Sequence, residues 1–365
     1  MSEHSPISPS SAHRWVKCPA SVPLQRGKDE INTEAAREGT AAHEVAELML
    51  TQGLDVELPL TAINGVIIDH EMIEHCKNYA DLCNNIKADK RGVELKINCS
   101  DIHEQSYGTV DFWAHDSDNK LLYVIDFKYG FRYVCAADNY QLINYASGLI
   151  TKLNLSKDTE IVLGVYQPRA YGYEAFRYWQ TNIVELNPFF IELKQKAEEA
   201  FSNNPRCATG DHCGNCAAII DCEAATLSFC NAIDVVRETG NDLATTPDTL
   251  GRQLLIAEKA AETISNRIEA LQAVGMGLAQ KGKTPHGYEI KNGRTSVKWN
   301  VNESEVVKLG EVFDIDLKTT GTLTPKQAVK AGLDESLLAS YTSKTAGAAK
   351  LAPVNLSKLK EALSK

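Results

Sequence analysis

Gly108-Thr109-Val110-Asp111, followed by Val124-Ile125-Asp126-Phe127-Lys128, supplies two carboxylates and a lysine on neighbouring stretches of chain. Hydrolysis of a phosphodiester at neutral pH needs hard divalent cations held by oxygen, which acidify water and offset charge at phosphorus, and it gains from a lysine that steadies the nucleophile or that charge. The elements that would position these groups can be read locally. Leu121 to Phe127 is apolar, partly β-branched and of strand length, so Asp126 and Lys128 project from one face and Phe127 from the other. An acid near the end of such a strand is costly to bury unless it is paired or binds a cation. Gly108 to Trp113 reads as the preceding antiparallel strand, and a turn at Asp116-Ser117-Asp118-Asn119 makes a hairpin that brings Asp111 to Asp126.

Two helices complete the arrangement. Glu34 to Leu50 contains Gly39-Thr40-Ala41-Ala42-His43-Glu44-Val45-Ala46-Glu47, in which His43 and Glu47 share a face and can meet a metal site. Ala136 to Leu149 reads as the helix that follows the Asp126 strand. It carries Gln141 and Tyr145 one turn apart, Gln141 for a nucleotide phosphate and Tyr145 to orient Lys128 or the nucleic acid.

The order His43, Asp111, Asp126-Phe127-Lys128, Gln141-Leu142-Ile143-Asn144-Tyr145 resembles the RecB-like branch of the PD-(D/E)XK nuclease superfamily, with its GTxxHxxxE, GxxD, (D/E)xK and QxxxY blocks. The resemblance runs from about Ser8 to Glu223. It implies an α/β fold with a restriction-endonuclease-like core, a central mixed sheet flanked by helices. It also implies Mg2+ or Mn2+ held by His43, Asp111, Asp126 and the Phe127 carbonyl, with Lys128, Gln141 and Tyr145 completing the catalytic set. Asp126 stands where many relatives carry glutamate, and Glu94 resembles the glutamate often found on the strand before GxxD.

Among ten cysteines, Cys213-Gly214-Asn215-Cys216 and Cys222 are spaced for shared metal ligation rather than for a disulfide framework. A fourth ligand is open between Cys207, His212 and Cys18, and with it the choice between Zn2+ and a 4Fe-4S cluster. Iron-sulfur members of the same superfamily, such as the AddB helicase-nuclease subunit and the CRISPR adaptation exonucleases, place one cysteine before the nuclease core and three after it. Cys18, Cys213, Cys216 and Cys222 fit that plan, which implies a 4Fe-4S staple joining the N-terminal segment to the end of the nuclease domain. The cysteines at 76, 83, 99, 135 and 230 read as buried thiols.

At 365 residues with 43% hydrophobic content, the chain can fill more than one domain. It has no long apolar run and no secretory signal pattern, so the expectation is a protein of the bacterial host cytosol with no membrane association. The net charge of −10 argues against a general basic footprint. Lys87, Lys90, Arg91, Lys128 and Arg132 could still line a channel, and the segment from Gly321 to Lys365 is basic enough to touch DNA or a partner.

Three parts are expected: a nuclease domain with its staple over 1–230, a connector and long amphipathic helix over 231–282, and a small α+β region over 283–365. Asn231 to Pro247 reads as the polar connector, Thr249 to Lys281 as the helix, and Gly287 to Trp299 as a hairpin turned at Asn292-Gly293, with short helices beyond. This α-rich C-terminal extension is similar to that of phage and prophage proteins grouped as a family of unknown function. The likeness implies a phage-type exonuclease in recombination, working on DNA beside a single-strand annealing protein, and leaves a homo-oligomer open. A non-catalytic DNA-end or protein-binding scaffold is the competing reading. No GxxxxGK(S/T) loop is present, so unwinding would come from elsewhere.

Overall fold

The computed structural model describes residues 5–28, 33–239, 246–299, 301, 303–317 and 322–353. Along the chain come two short helices, α1 (Ala12–Trp15) and α2 (Ser21–Leu24), then α3 (Glu34–Gln52), α4 (His70–Asn84), β1 (Lys90–Asn98), β2 (Tyr107–Asp116) and β3 (Leu121–Phe127). They are followed by α5 (Tyr140–Leu153), β4 (Glu160–Tyr166), β5 (Phe176–Asn182), α6 (Ile183–Ala200), α7 (Glu223–Thr239) and α8 (Pro247–Gln280). Beyond these lie β6 (Tyr288–Trp299), α9 (Glu303–Val312), α10 (Pro325–Lys330), α11 (Leu338–Tyr341) and β7 (Thr342–Pro353). The chain divides into two units, one of residues 1–33 and 83–274 and one of 34–82 and 275–365.

The first unit is an α/β fold around a five-stranded mixed sheet in the order β1-β2-β3-β4-β5. β1, β2 and β3 pair antiparallel, β3 and β4 run parallel with α5 as the crossover, and β5 returns antiparallel to β4. The β2–β3 hairpin turns after Asp116, whose carboxylate accepts from the backbone of Asp118 and Asn119. β3 and β4 read as nearly continuous apolar runs because their successive residues are buried on both faces of the sheet, as parallel strands require. Ile7 and Trp15 from the N-terminal segment join Leu142, Ile143 and Leu149 of α5, Leu186 and Leu193 of α6, and Ile97, Leu122 and Val124 of the sheet in one buried core.

α5 begins at Tyr140 rather than at Ala136. The Asn139 side chain accepts from the backbone N–H groups of Gln141 and Leu142 and so sets the helix start, and Asn154 ends the helix in the left-handed region. The expected connector is also corrected: Asn231 to Thr239 continues α7, because no glycine or proline interrupts helical spacing before Gly240. The rest of that connector, 240–245, lies outside the described residues. The long helix is present as α8.

In the second unit, α3 and α4 are tied by a hydrogen bond from Cys76 Sγ to the Ala42 carbonyl. Arg37 and Asn64 exchange hydrogen bonds across the loop between these helices. Downstream, Gly287 to Trp299 is not a hairpin. β6 runs through Asn292-Gly293 and pairs antiparallel with β7, with register shifts on either side of Gly293. Asn-Gly here accommodates a bulge, because a full-length partner strand satisfies more backbone groups than two short arms folded on each other. The region beyond Trp299 therefore holds a strand as well as short helices. Val306, Leu309, Leu317, Ala328 and Leu333 form its core. Gly321 and 354–365, part of the basic tail, lie outside the described residues.

Cys76, Cys83 and Cys99 are buried as expected, whereas Cys135 and Cys230 are exposed. Cys135 sits in the loop after β3, and Cys230 falls on an outward face of α7. Among the described residues no helix is long and apolar enough to cross a membrane.

Candidate functional site

Asp126 and Lys128 stand at the C-terminal end of β3, the strand flanked on both sides in the sheet. Asp126 is 2% exposed, and its Oδ2 lies 2.8 Å from Lys128 Nζ. Gln141, the second residue of α5, closes a triangle with them: its Nε2 donates to Asp126 Oδ1 at 2.6 Å and its Oε1 accepts from Lys128 Nζ at 3.1 Å. The cap at Asn139 fixes where α5 starts and therefore which side chain of the helix meets this pair.

Asp111 falls one register step beyond the Phe112–Ile125 pair, opposite Asp126 on β2. Its Oδ2 accepts from the backbone N–H of Phe127 at 2.7 Å, a side-chain bond where a ladder bond would otherwise stand. Burial opposes the Lys128 charge, but the Asp126 and Asp111 carboxylates outweigh it and hold its pKa above the ordinary lysine range. Tyr145 lies one turn along α5 from Gln141. Burial, reinforced by the same two carboxylates, pushes its phenol well up, so it remains protonated.

On β1, Glu94 sits across from Asp111, between the Val93–Phe112 and Leu95–Val110 pairs. It adopts φ +45°, unusual for a residue with a side chain and a local interruption of the strand. Glu94 and Asp111 bring carboxylate oxygens within 4.8 Å of each other, close enough to share one metal ion. His43 is a half-buried residue of α3, while Glu47 on the same helix is exposed.

The register also separates the cations expected to line one channel. Lys90 pairs with His115, and His115 pairs with Leu122 at the start of β3, the end opposite Asp126. Lys128 and Arg132 are thus not joined by Lys87, Lys90 and Arg91, because strand direction carries those three away.

A second cluster of chemistry lies in the same unit. Cys18, Cys207, Cys213, Cys216 and Cys222 line one small pocket together with His212. Cys207 Sγ is 4.0 Å from Cys18 Sγ and 3.9 Å from Cys222 Sγ. Backbone N–H of Ala208 points to Cys18 Sγ at 3.4 Å, and His212 Nε2 pairs with the Ala208 carbonyl at 2.9 Å. Burial raises the Cys207 thiol to about 12, helped by the thiols of Cys18 and Cys222, whereas the His212 imidazole and the Ala208 N–H hold the Cys18 thiol low against its burial.

The pocket walls are joined by other bonds. Ala20 N donates to the Arg206 carbonyl, Arg14 to the Asn215 carbonyl and Ala217 N to Gln25 Oε1, while Lys17 pairs with Asp211. Sequence spacing offers Cys207 only as a substitute ligand, and nothing in its spacing to Cys213 marks it as a neighbour of Cys18. The family model whose description is "Protein of unknown function (DUF2800)" matches residues 4–355.

Proposed function

We propose that this chain, which belongs to that DUF2800 family, is a metal-dependent deoxyribonuclease with a PD-(D/E)XK-type site of the RecB-like branch. The observation that supports it most directly is the Asp126–Lys128–Gln141 triangle, with Asp111 beside it at the end of β3. Carboxylates placed opposite one another on antiparallel strands repel, as Glu94 and Asp111 are placed here, and a hard divalent cation offsets that repulsion with oxygen ligands it prefers. The donor set therefore fits Mg2+ or Mn2+, held by Asp111 and Asp126 with the Phe127 carbonyl and with Glu94 as a further carboxylate, and the resemblance implies His43 as an additional ligand. When bound, the ion supplies Lewis acidity toward water and phosphate.

The chain's own groups then have distinct tasks. Lys128 keeps its proton at Nζ and presents a fixed positive charge where negative charge grows on the phosphate. Gln141 holds Lys128 and Asp126 in register with each other, a positioning role in place of the expected phosphate contact. Tyr145, protonated and buried, offers a hydroxyl donor beside the two carboxylates.

The sulfur pocket is proposed as a structural metal site. Five thiols and an imidazole suit a soft or borderline metal and exceed the four ligands that either candidate needs. By the resemblance, Cys18, Cys213, Cys216 and Cys222 would hold a 4Fe-4S cluster. The approach of Cys207 to both Cys18 and Cys222 favours a second reading, tetrahedral Zn2+ including Cys207, since two thiolates on one zinc lie about 3.8 Å apart given a Zn–S bond of about 2.3 Å. Iron and labile sulfide in anaerobically purified protein would support the cluster, and stoichiometric zinc without sulfide would support the alternative.

The partners follow as proposals: DNA as substrate, and a phage-type annealing protein as the companion in recombination. The direct test is purified protein with end-labelled single- and double-stranded DNA, with Mg2+, with Mn2+ and with chelator. Cleavage that needs the divalent ion and disappears in Asp126→Asn is the expected result; metal-independent cleavage, or none, would remove the reading.

A further inference from the structure

Beside the β3 site the chain exposes an unusual set of rings. β3 and β4 are parallel and end level with each other, Phe127 beside Tyr166, so the loops that follow them leave the sheet at the same end. The first carries Tyr129, Phe131 and Tyr133 at every second position and the second carries Tyr171 and Tyr173, in a chain only 7% aromatic. Phe131 is 54% exposed, Tyr171 72% and Tyr173 59%. The rings meet across the two loops: Phe131 and Tyr171 have centroids 6.0 Å apart, and Tyr133 and Tyr173 4.3 Å apart.

Arginines back this row. The Arg169 guanidinium lies 3.8 Å from the Phe131 centroid and 4.5 Å from that of Tyr129, and Arg177 lies 4.8 Å from that of Tyr133. The loops are held in place rather than loosely draped. Gln167, 1% exposed, donates to the carbonyls of Gly130 and Arg132 and accepts from Val134 N and Arg177. The two loops carry Lys128, Arg132 and Arg169 against Asp138 and Glu174, and Arg177 at the start of β5 adds a further positive charge beside them, in a chain of net charge −10. Lys128 leads directly into the first loop.

We infer that the Phe131–Tyr171 and Tyr133–Tyr173 pairs form a stacking platform for the unpaired bases of single-stranded DNA, feeding its backbone toward the Lys128 site. The inference rests on the nuclease reading for its direction but not for its binding chemistry. Exposed rings ordered by buried hydrogen bonds and flanked by guanidinium groups match what a flexible polyanion with open base faces offers. A duplex keeps those faces stacked inside, so it cannot use the rings. Arg132, exposed beside Phe131, is placed for a phosphate.

The test is fluorescence anisotropy in chelator, so that no cleavage is required, with labelled oligothymidylate, an abasic deoxyribose-phosphate polymer, oligouridylate and duplex DNA as probes. Oligothymidylate should bind at least tenfold more tightly than the abasic polymer or the duplex, and no less tightly than oligouridylate. Phe131→Ala with Tyr171→Ala should weaken oligothymidylate binding about tenfold or more, as should Tyr133→Ala with Tyr173→Ala, while Phe131→Trp with Tyr171→Trp should retain it. Equal affinity for the abasic polymer, a preference for duplex, unchanged binding in the alanine variants, or no binding of any polynucleotide would overturn the inference. Oligouridylate binding tenfold more tightly would overturn DNA as the ligand. A protein that cuts DNA yet ignores these substitutions refutes the platform alone, and one that binds through the rings yet never cuts refutes the nuclease reading alone.

Discussion

The two chemical clusters of the first unit are built in opposite ways. At the end of β3, Asp111, Asp126 and Lys128 sit on paired strands, and backbone register places the charges before any side-chain contact is made. In the cysteine pocket, Cys18 and the segment from Cys207 to Cys222 come from distant, short and irregular stretches, held by scattered bonds such as Ala20 to Arg206 and Arg14 to Asn215. In the first cluster the scaffold holds the chemistry. In the second, a bound metal would help hold the scaffold, closing a long loop of chain whose closure is entropically costly in the unfolded state. Damage to the first should fall on activity and damage to the second on stability.

Asp126→Asn is the sharpest way to test that division. It keeps an acceptor for Gln141 while removing the charge, so cleavage should fall by about a thousandfold or more, with only a few degrees' change in the melting temperature. Asp126→Ala is a less clean variant, since it strands Lys128 and Gln141 without their partner and adds a destabilisation on the order of 2 kcal/mol. If Asp126→Asn unfolds the protein, the strand end is structural and the contrast collapses.

Cys18→Ala probes the other side. It should lose the bound iron or zinc, as read by metal analysis, and lower unfolding stability by about 3 kcal/mol, with proteolysis becoming faster near both Cys18 and Cys222. Activity per folded molecule should stay within a few-fold of wild type. Cys207→Ala discriminates between the metals: metal retained fits the four-cysteine cluster, and metal lost fits zinc with Cys207 as a ligand.

Gln141→Ala should reduce cleavage about ten- to a hundredfold, through loss of the bridge between Asp126 and Lys128 rather than loss of either charge. The same variant should leave metal content in the cysteine pocket unchanged, and Gln141→Glu should recover less than Gln141→Asn if the amide donor is what counts. The smallest effect expected is at Gly148, where α5 crosses β1. A Cβ there would lie 2.7 Å from an Ile97 side-chain carbon and 2.8 Å from the Asn98 carbonyl oxygen. Gly148→Ala should therefore cost about 1–3 kcal/mol in denaturant unfolding and move α5, taking a several-fold share of activity with it.

The amino-acid order alone was enough for the parts whose period is local. Alternation and β-branching announce β3, the Asp116–Asn119 turn announces its hairpin with β2, and a long run of helical spacing announces α8. These depend on neighbours a few residues away, which is the range over which side-chain period acts. The same local signals put Asp111, Asp126 and Lys128 on neighbouring strands, and it is the resemblance to a nuclease family that adds His43 to them.

Only the tertiary structure decided the rest. The Asn292-Gly293 pair has the composition of a tight turn, and what makes it part of a strand is β7, some fifty residues further on. The positive φ of Glu94, the bridge of Gln141 to both Asp126 and Lys128, and the seat of Cys207 between Cys18 and Cys222 all depend on which elements lie side by side. So does the ring row of Phe131 and Tyr171, legible in sequence as alternating aromatics in two loops but joined only because β3 and β4 are parallel and end together. Contacts between segments far apart in sequence are set by the free energy of burying shared surface and satisfying backbone groups together, and no local period encodes that sum.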